Sequence, residues 1–156
     1  MRITLIQLGK TRFAYLQEGI SDYHKRIRHY INFEEITISD LKNSKNLSAT
    51  EIKKREGEQM LNLIDKTTFL VLLDENGKQN SSVEFASYIM KSINSGRDIV
   101  LFIGGAYGFS DEVYSRANDK LALSNMTFSH QLVRLIFAEQ LYRAMTIIKG
   151  EPYHHI

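Results

Sequence analysis

The chain has 156 residues, of which 43% are hydrophobic and 24% charged, and its formal net charge is +2. This composition favours one globular domain over a disordered chain, and the small net charge neither requires nor excludes a nucleic-acid partner. The chain has no cysteine, which excludes disulfides and thiolate metal sites and fits a reducing cytoplasm. No apolar run approaches the roughly 20 residues that span a bilayer and no signal-peptide pattern is visible, so we expect a cytoplasmic protein without a membrane partner.

The first half of the chain alternates between strand and helix patterns. Residues 2–8 alternate apolar and polar side chains, and residues 33–39 also have a strand pattern. Between them, apolar residues recur every three or four positions over 13–30, which predicts one face of a helix. A capping box that begins at Ser48 predicts another helix, which continues to about Ile64.

The second half continues the alternation. Residues 67–73 and 98–104 are continuous apolar runs, typical of parallel strands that are buried on both faces. Turn-forming residues at 74–78 follow the first run, and a capping box at Ser81 predicts the next helix. A serine cap then predicts a short helix over 110–120.

The last part of the chain is a helix pattern that is apolar on nearly every side. A turn of small and apolar residues at 121–130 leads into this helix over 131–149, and a short polar tail follows. A helix that is apolar all round must be buried on all sides, in a core or against a partner. Because strands alternate with helices throughout, we predict an α/β fold, with a single domain over 1–156 and a mostly parallel sheet flanked by helices.

Three predicted strand ends can converge on one pocket, at positions 73–74, 104–105 and 123–128. In open α/β sheets, ligands bind beyond the carboxyl ends of the strands, and glycines let the backbone approach a ligand closely. Backbone groups and aliphatic side chains suit a flat, uncharged heterocycle such as adenine. Two other interpretations stay open here, because the glycines also suit a tight turn alone, and Leu73 and Leu123 also suit core packing.

Several polar residues near the C-terminus are candidates for chemistry. His130, His154 and His155 are candidate acid–base groups, and His130 is expected to open the last helix. Their spacing is not that of metal ligands, so we expect no metal. Structural interpretations of these residues also stay open. Arg143 can form a surface ion pair with Glu139, four residues earlier, and the tail can be a solvated terminus.

The densest basic segments are residues 24–30 and 53–55. Basic clusters on helices are commonly solvated faces. Beside an active pocket, they would contact phosphates without sequence preference and add salt-dependent affinity.

Short motifs in a fixed order extend over nearly the whole chain. They are Glu56-Gly-Glu-Gln59, Leu72-Leu-Asp74, Gly77-Lys78, Phe102-Ile-Gly-Gly105, Gly108, Leu121-Ala-Leu-Ser124, Met126-Thr-Phe128, His130, Leu132-Val-Arg134, Glu139-Gln-Leu-Tyr-Arg-Ala144 and Pro152-Tyr-His154. In this combination the chain resembles the RlmH family of SPOUT-class RNA methyltransferases, which methylate a pseudouridine in large-subunit ribosomal RNA. One departure is Ser129, where this family is expected to have proline before the histidine.

The resemblance implies a SPOUT-type fold with a deep trefoil knot at its C-terminal end, which binds S-adenosylmethionine, and it implies a homodimer. The implied reaction is methylation of N3 of a pseudouridine in 23S rRNA of the assembled ribosome. Carried over by position, the cofactor contacts are Leu73, Gly104, Leu123, Ser124, Asn125, Met126, Thr127 and Phe128.

For the RNA side of the site, we hypothesise roles for Arg143, Tyr153 and His154, from the family match and their expected position beside the cofactor turn. Arg143 would stabilise negative charge on the base or hold a phosphate, Tyr153 would position the base, and His154 would assist proton removal. Basic residues such as Arg26 or Arg28 of one protomer would lie near the other protomer's pocket.

Two other functions are open at this point. A Rossmann-like nucleotide-binding oxidoreductase suits the alternating pattern, but the Gly-Gly-x-x-Gly loop at 104–108 lacks the dinucleotide-binding spacing. A ribosome-binding module without catalytic activity would bind ribosomes with or without a cofactor.

Overall fold

The computed structural model describes residues 1–155. Its elements are β1 (Arg2–Leu8), α1 (Ala14–Ile27), β2 (Asn32–Ile38), a 3-10 turn (Ser44–Asn46), α2 (Ala49–Leu61), β3 (Phe69–Gln79), α3 (Ser82–Asn94), β4 (Ile99–Ile103), α4 (Asp111–Arg116), β5 (Asp119–Ala122) and α5 (Leu132–Lys149). The strands form one sheet of order β2-β1-β4-β3-β5, and every neighbouring pair of strands is parallel. The predicted α/β fold with a parallel sheet is therefore confirmed.

Helices cover both faces of the sheet. One core cluster joins the sheet to α1, α3 and α5 through residues such as Ile27, Phe85 and Phe137. The second cluster joins the opposite face to α2 and α4 through Met60 and Val113. The central strands are buried on both faces, which is why their sequences are continuous apolar runs.

The predicted helix starts are confirmed by their caps. Ser48 and Ser81 each form a capping box, in which the serine hydroxyl accepts from the backbone N–H three residues later and a glutamate accepts from the serine N–H. The Ser110 hydroxyl accepts from Val113 N at 3.4 Å and begins α4. These bonds satisfy N–H groups that have no partner within a helix.

Two predictions at the edge of the sheet are wrong. The turn predicted at 74–78 lies inside β3, where Leu121 pairs with Leu73 and again with Lys78, so the residues between them bulge out of register. The helix predicted over 110–120 ends at Arg116, and a short strand, β5, follows it. This strand has charged residues because it is at the edge, and the pattern therefore did not reveal it.

The composition of the last helix predicted burial on all sides, but within one chain the helix is only partly buried. One face of α5 packs into the core, but Leu132 is 40% exposed and several other apolar side chains are half-buried. Over residues 1–155, no helix has the length and hydropathy required to cross a membrane.

Buried polar contacts hold the start of α5 against the end of β1. The Arg134 side chain is 1% exposed and donates to Leu8 O at 2.5 Å and Gly9 O at 2.9 Å. The Gln131 side chain accepts from Arg12 N at 2.8 Å and donates to Lys10 O at 3.2 Å. The segment from β5 to α5 is thereby fixed across the carboxyl ends of the strands.

Candidate active site

A cavity of about 620 Å³ opens beyond the carboxyl ends of β3 and β4. Three segments contribute most of its lining: residues 73–76 after β3, residues 103–109 after β4, and residues 123–130 before α5. The volume lies within the roughly 300–1,000 Å³ of small-molecule sites in proteins. The predicted convergence of positions 73–74, 104–105 and 123–128 on one pocket is therefore confirmed.

Most of the residues predicted to contact a cofactor line this cavity. They are Leu73, Gly104, Leu123, Ser124, Met126, Thr127 and Phe128. Asn125, which belongs to the same predicted set, is exposed and is not among the lining residues. Cofactor binding by the set stays a prediction.

The loop after β4 packs directly on Glu56 of α2. A Cβ atom at Gly105 would lie 2.8 Å from Glu56 Oε2, so a larger residue there would displace the loop from the carboxylate. Glu56 Oε2 is buried without a hydrogen-bond partner among the described residues, and burial, with a smaller contribution from Asp40, raises its pKa. In the sequence, Glu56 belongs to the Glu56-Gly-Glu-Gln59 motif, which by itself indicates no role for this carboxylate.

Two carboxylates lie at the cavity and connect its walls. Asp74 accepts a hydrogen bond from the Tyr114 hydroxyl, and Glu75 accepts one from the Thr127 hydroxyl. Burial, followed by the bond to Asp74, raises the pKa of Tyr114 to about 12, so this hydroxyl stays a donor. Negative charge beside apolar walls favours a cationic ligand and disfavours a pyrophosphate or triphosphate.

His130 lines the same cavity and lies two residues before α5, as the sequence suggested. Burial lowers its pKa, and the positive charges of Arg134 and Arg12 lower it further. These shifts favour the neutral form of His130. A neutral imidazole can accept or donate a hydrogen bond to a bound ligand.

Arg143, Tyr153 and His154 are brought together at the C-terminal end of α5. The Arg143 guanidinium lies 4.7 Å from the Tyr153 ring centroid and forms an ion pair of 2.6 Å with Glu139. Arg143 Nη1 is 3.3 Å from His154 Nδ1. Because arginine only donates, a hydrogen bond here requires Nδ1 to accept, with the ring proton on Nε2. In this arrangement His154 presents a donor, and its expected role in proton removal stays a prediction.

Tyr153 is held by two other side chains. Its hydroxyl donates to Glu139 Oε1 at 3.1 Å and lies 3.4 Å from the Tyr23 hydroxyl. Burial raises the pKa of Tyr153, and the hydrogen bond to Tyr23 raises it further. Tyr153 thus stays protonated and offers an aromatic face rather than a phenolate.

The Arg143 cluster, consisting of Arg143, Tyr153 and His154, does not line its own chain's cavity. Val133 lines the cavity, whereas Arg143 is ten residues further along α5, about 15 Å along the helix axis. The expectation that these residues lie beside the cofactor turn is therefore wrong within one chain.

The two arginines expected near RNA lie in different places. Arg26 is paired with Asp22 at 3.0 Å, and its guanidinium is 5.6 Å from the ring centroid of Tyr142, which packs on Tyr153. Arg28 lies at a second cavity, described below. Across residues 1–155, no group of three or more His, Asp or Glu side chains is placed to hold a metal ion.

Residues 1–154 match a family model described as "Predicted SPOUT methyltransferase". The chain belongs to the SPOUT methyltransferase family. This membership confirms the predicted methyltransferase class and the resemblance drawn from the motifs. It leaves no support for the oxidoreductase alternative.

Relatives of this SPOUT methyltransferase match it over its full length. Proteins from Christiangramia forsetii and Flavobacterium psychrophilum are 54% and 55% identical to it, and one from Parabacteroides distasonis is 50% identical. Each match covers 99% of both chains, and each relative is named "Ribosomal RNA large subunit methyltransferase H". The solved SpoU methyltransferase AviRb from Streptomyces viridochromogenes, in complex with the cofactor AdoMet, matches at 8% identity with a TM-score of 0.46, over 96% of this chain and 61% of that one.

Proposed function

We propose that this protein transfers a methyl group from S-adenosylmethionine to N3 of a pseudouridine in 23S rRNA of the assembled ribosome, in the cytoplasm. The observation that carries the proposal is the full-length match, at 50–55% identity, to relatives with a single ribosomal RNA methyltransferase name. The cavity at the strand ends is the place where such a reaction would occur.

The residues around the cavity suit S-adenosylmethionine. Leu73, Leu123 and the backbone of Gly104 offer an apolar slot for the adenine, and Asp74 and Glu75 offer negative charge to the cofactor's positive groups. When bound, the cofactor supplies an electrophilic methyl group. The contribution of this chain is to hold donor and acceptor in line and to exclude water.

We propose a homodimer in which the partner completes the site. The Arg143 cluster is too far from its own cavity to contact a base bound there. Met126 and Tyr107 line the cavity and are 76% and 55% exposed, and Leu132, which precedes the lining residue Val133, is 40% exposed. These are large apolar side chains to leave in water. A second copy that covers the mouth of the cavity would bury them and place its own Arg143 cluster opposite the cavity.

In that arrangement, the Arg143 cluster would act on the base. Methylation of N3 requires the ring to lose the proton on that nitrogen, so negative charge develops on the neighbouring carbonyl oxygens. The guanidinium of Arg143 and the Nε2–H of His154 are donors that stabilise such charge. The Tyr153 ring, held by Glu139, would position the base.

The family's deep trefoil knot also belongs to this proposal. The segment after β5 starts at one edge of the sheet and ends beside Lys10 and Arg12, after β1, where Gln131 holds it. It therefore passes across the carboxyl ends of β3 and β4 next to the glycine loop. This path supports threading of the C-terminal segment, as in the family.

The proposal is tested by transfer of labelled methyl from S-adenosylmethionine to ribosomes purified from a strain that lacks the gene, with free 23S rRNA alongside. We expect label at one pseudouridine of intact ribosomes, and little on free RNA. Ribosome binding without label would instead support a binding module without catalytic activity. Label on another nucleotide would overturn the assigned target.

A further inference from the structure

A second cavity, of about 670 Å³, lies between α1 and the carboxyl-terminal halves of β1 and β2. The sheet register places Gln7 directly beside Thr37, and Gln7 Nε2 donates to Thr37 Oγ1 at 3.2 Å. From the helix side, His24 Nδ1 approaches Glu35 Oε2 to 3.4 Å. The cavity thus has polar groups on its sheet wall and on its helix wall.

Three buried atoms at this cavity have no hydrogen-bond partner among the described residues: Gln7 Oε1, His24 Nε2 and Glu35 Oε2. Gln7 is 1% exposed and His24 5%, so both side chains are almost completely removed from bulk solvent. His24 is neutral because burial, and secondarily Arg28, lowers its pKa to about 4. The Glu35 carboxylate favours the proton on Nδ1, which leaves Nε2 an acceptor. Gln7 Oε1 and His24 Nε2 are therefore unpaired acceptors, and Glu35 Oε2 has only the long 3.4 Å approach of His24 Nδ1. Buried polar groups are normally paired.

The rim of the cavity is basic. Lys10, Arg12 and Arg28 line it and are exposed, so their charges are available to an anionic group. Asp40 lies on the same rim as the opposing charge. Ile20 adds an apolar contact on the helix side. A matching ligand has an edge with adjacent hydrogen-bond donors and an anionic group such as a phosphate.

Among the bases, guanine has that edge. Its N1–H and N2 amino group are adjacent donors that a carboxylate accepts together. Adenine presents an acceptor next to its amino group, and uracil presents one donor between two acceptors. Either base would therefore place an acceptor of its own against an acceptor of the protein. We propose that the second cavity binds a guanosine nucleotide of the RNA substrate, with Glu35 on the base edge and Arg12 near the phosphate.

The two cavities are neighbours, which allows one RNA strand to occupy both. His130 lines the first cavity, and the next residue, Gln131, hydrogen-bonds to the backbone of Lys10 and Arg12 at the second. The RNA part of the proposal rests on the proposed function. Guanine recognition by the cavity itself does not.

Calorimetric titration of the full-length protein with GMP, AMP and guanosine tests the site. We expect GMP to bind at least about tenfold more tightly than AMP, and Glu35→Gln to weaken GMP about tenfold by removing the paired acceptor. Glu34→Gln, the exposed neighbour on the same strand, is the matched control and should leave affinity unchanged. Arg12→Gln should weaken GMP but not guanosine. Absence of GMP binding, equal affinity for AMP, or equal effects of the two glutamate variants would overturn the proposal.

The source of the nucleotide is decided by competition. A short RNA with one guanosine should displace GMP, whereas an all-uridine RNA of equal length should not, and failure of the guanosine RNA would overturn the RNA assignment. In methyl transfer to ribosomes, Glu35→Gln should raise KM for ribosomes with kcat and S-adenosylmethionine affinity unchanged. If the wild-type protein transfers no methyl at all, the proposed function fails, while the GMP titration still decides the site.

Discussion

At the scale of single residues, Arg134 shows how a charge is used inside this protein. Its guanidinium is buried, and it donates to backbone oxygens at the end of β1 and to His130 O at 3.1 Å. Burial lowers the pKa of Arg134, which the nearby Glu35 and Asp40 partly offset. A lysine there would keep the charge but cannot contact several carbonyls from one plane. Arg134 thus orients the segment that closes the cavity.

The role proposed for His154 predicts a specific loss of rate. His154→Ala removes the Nε2–H donor, and we expect kcat for methyl transfer to fall about a hundredfold, as for other donors at developing negative charge. S-adenosylmethionine affinity should not change. His155→Ala, at the exposed neighbouring position, is the control and should transfer methyl at the wild-type rate. Unchanged turnover of His154→Ala at saturating ribosomes would remove His154 from the mechanism.

His24 predicts how stability depends on pH. Its pKa is lowered to about 4 in the folded protein, so between pH 6.5 and 4 the unfolded chain binds more protons. The free energy of unfolding therefore falls as pH falls through this window, by roughly 3 kcal/mol from His24 alone. The pKa of Glu35 is raised, mainly by burial, and this works in the opposite direction.

Urea unfolding at pH 7 and pH 4.5 measures the His24 effect. We expect His24→Gln to lose distinctly less stability on acidification than the wild type. His29→Gln, which changes an exposed residue just after the same helix, should lose as much as the wild type. Equal losses of unfolding free energy in all three proteins would show that folding does not lower the pKa of His24.

At the scale of elements, the contact between β3 and β5 positions one wall of the cavity. Both strands were partly misassigned from sequence, since Gly77 reads as a turn residue and Asp119-Lys120 as part of a polar helix end. In the fold, Gly77 crosses directly over the backbone of Leu121. Just before β5, Asn118 extends the pairing with β3: its side chain accepts from Leu70 N, and its N–H donates to Leu70 O, each at 2.8 Å.

Gly77→Ala is predicted to disturb this contact. Its Cβ would lie 2.7 Å from backbone atoms of Leu121, which cannot rotate away, so we expect a loss of about 1–3 kcal/mol in stability and weaker cofactor binding. Gly96→Ala is the control, because Gly96 has a φ of +66° but a Cβ added there would meet nothing within 4 Å. It should lose only about 1 kcal/mol and keep cofactor affinity. Wild-type cofactor affinity in Gly77→Ala would show that β5 can shift without moving the cavity wall.

At the scale of the whole molecule, the distance between the cavity and the Arg143 cluster decides how many chains a site needs. Arg143→Ala damages the cluster, and Gly104→Val fills the cavity. If sites are shared between protomers, mixed dimers of the two inactive variants should regain about half of the wild-type methyl transfer per dimer, since one of their two sites is intact.

Activity of the coexpressed pair is measured on dimers isolated with two different affinity tags. Two copies of the same variant, carrying the same two tags, provide the control and should stay inactive. Mixed dimers that form but transfer no methyl would place the whole site in one chain.

The sequence by itself determined the family and most of the elements, but not β5 or the full length of β3. Strand and helix periods depend on neighbours within about four residues, and the capping boxes at Ser48 and Ser81 lie within three, so local patterns suffice for them. Parallel strands bring their carboxyl ends to one edge, so the convergence at positions 73, 104 and 123–128 was also predictable.

Only the tertiary structure decided which side chains meet. The bond between Glu75 and Thr127 joins residues 52 positions apart, and no local pattern encodes it. The separation of Arg143 from the cavity follows from the direction in which α5 leaves the strand ends, although the sequence places both in one short segment. The unpaired acceptors of Gln7 and His24 exist because a helix and a strand far apart in the chain enclose the same space. Contacts of this kind depend on the path of the whole chain, which residue periodicity does not contain.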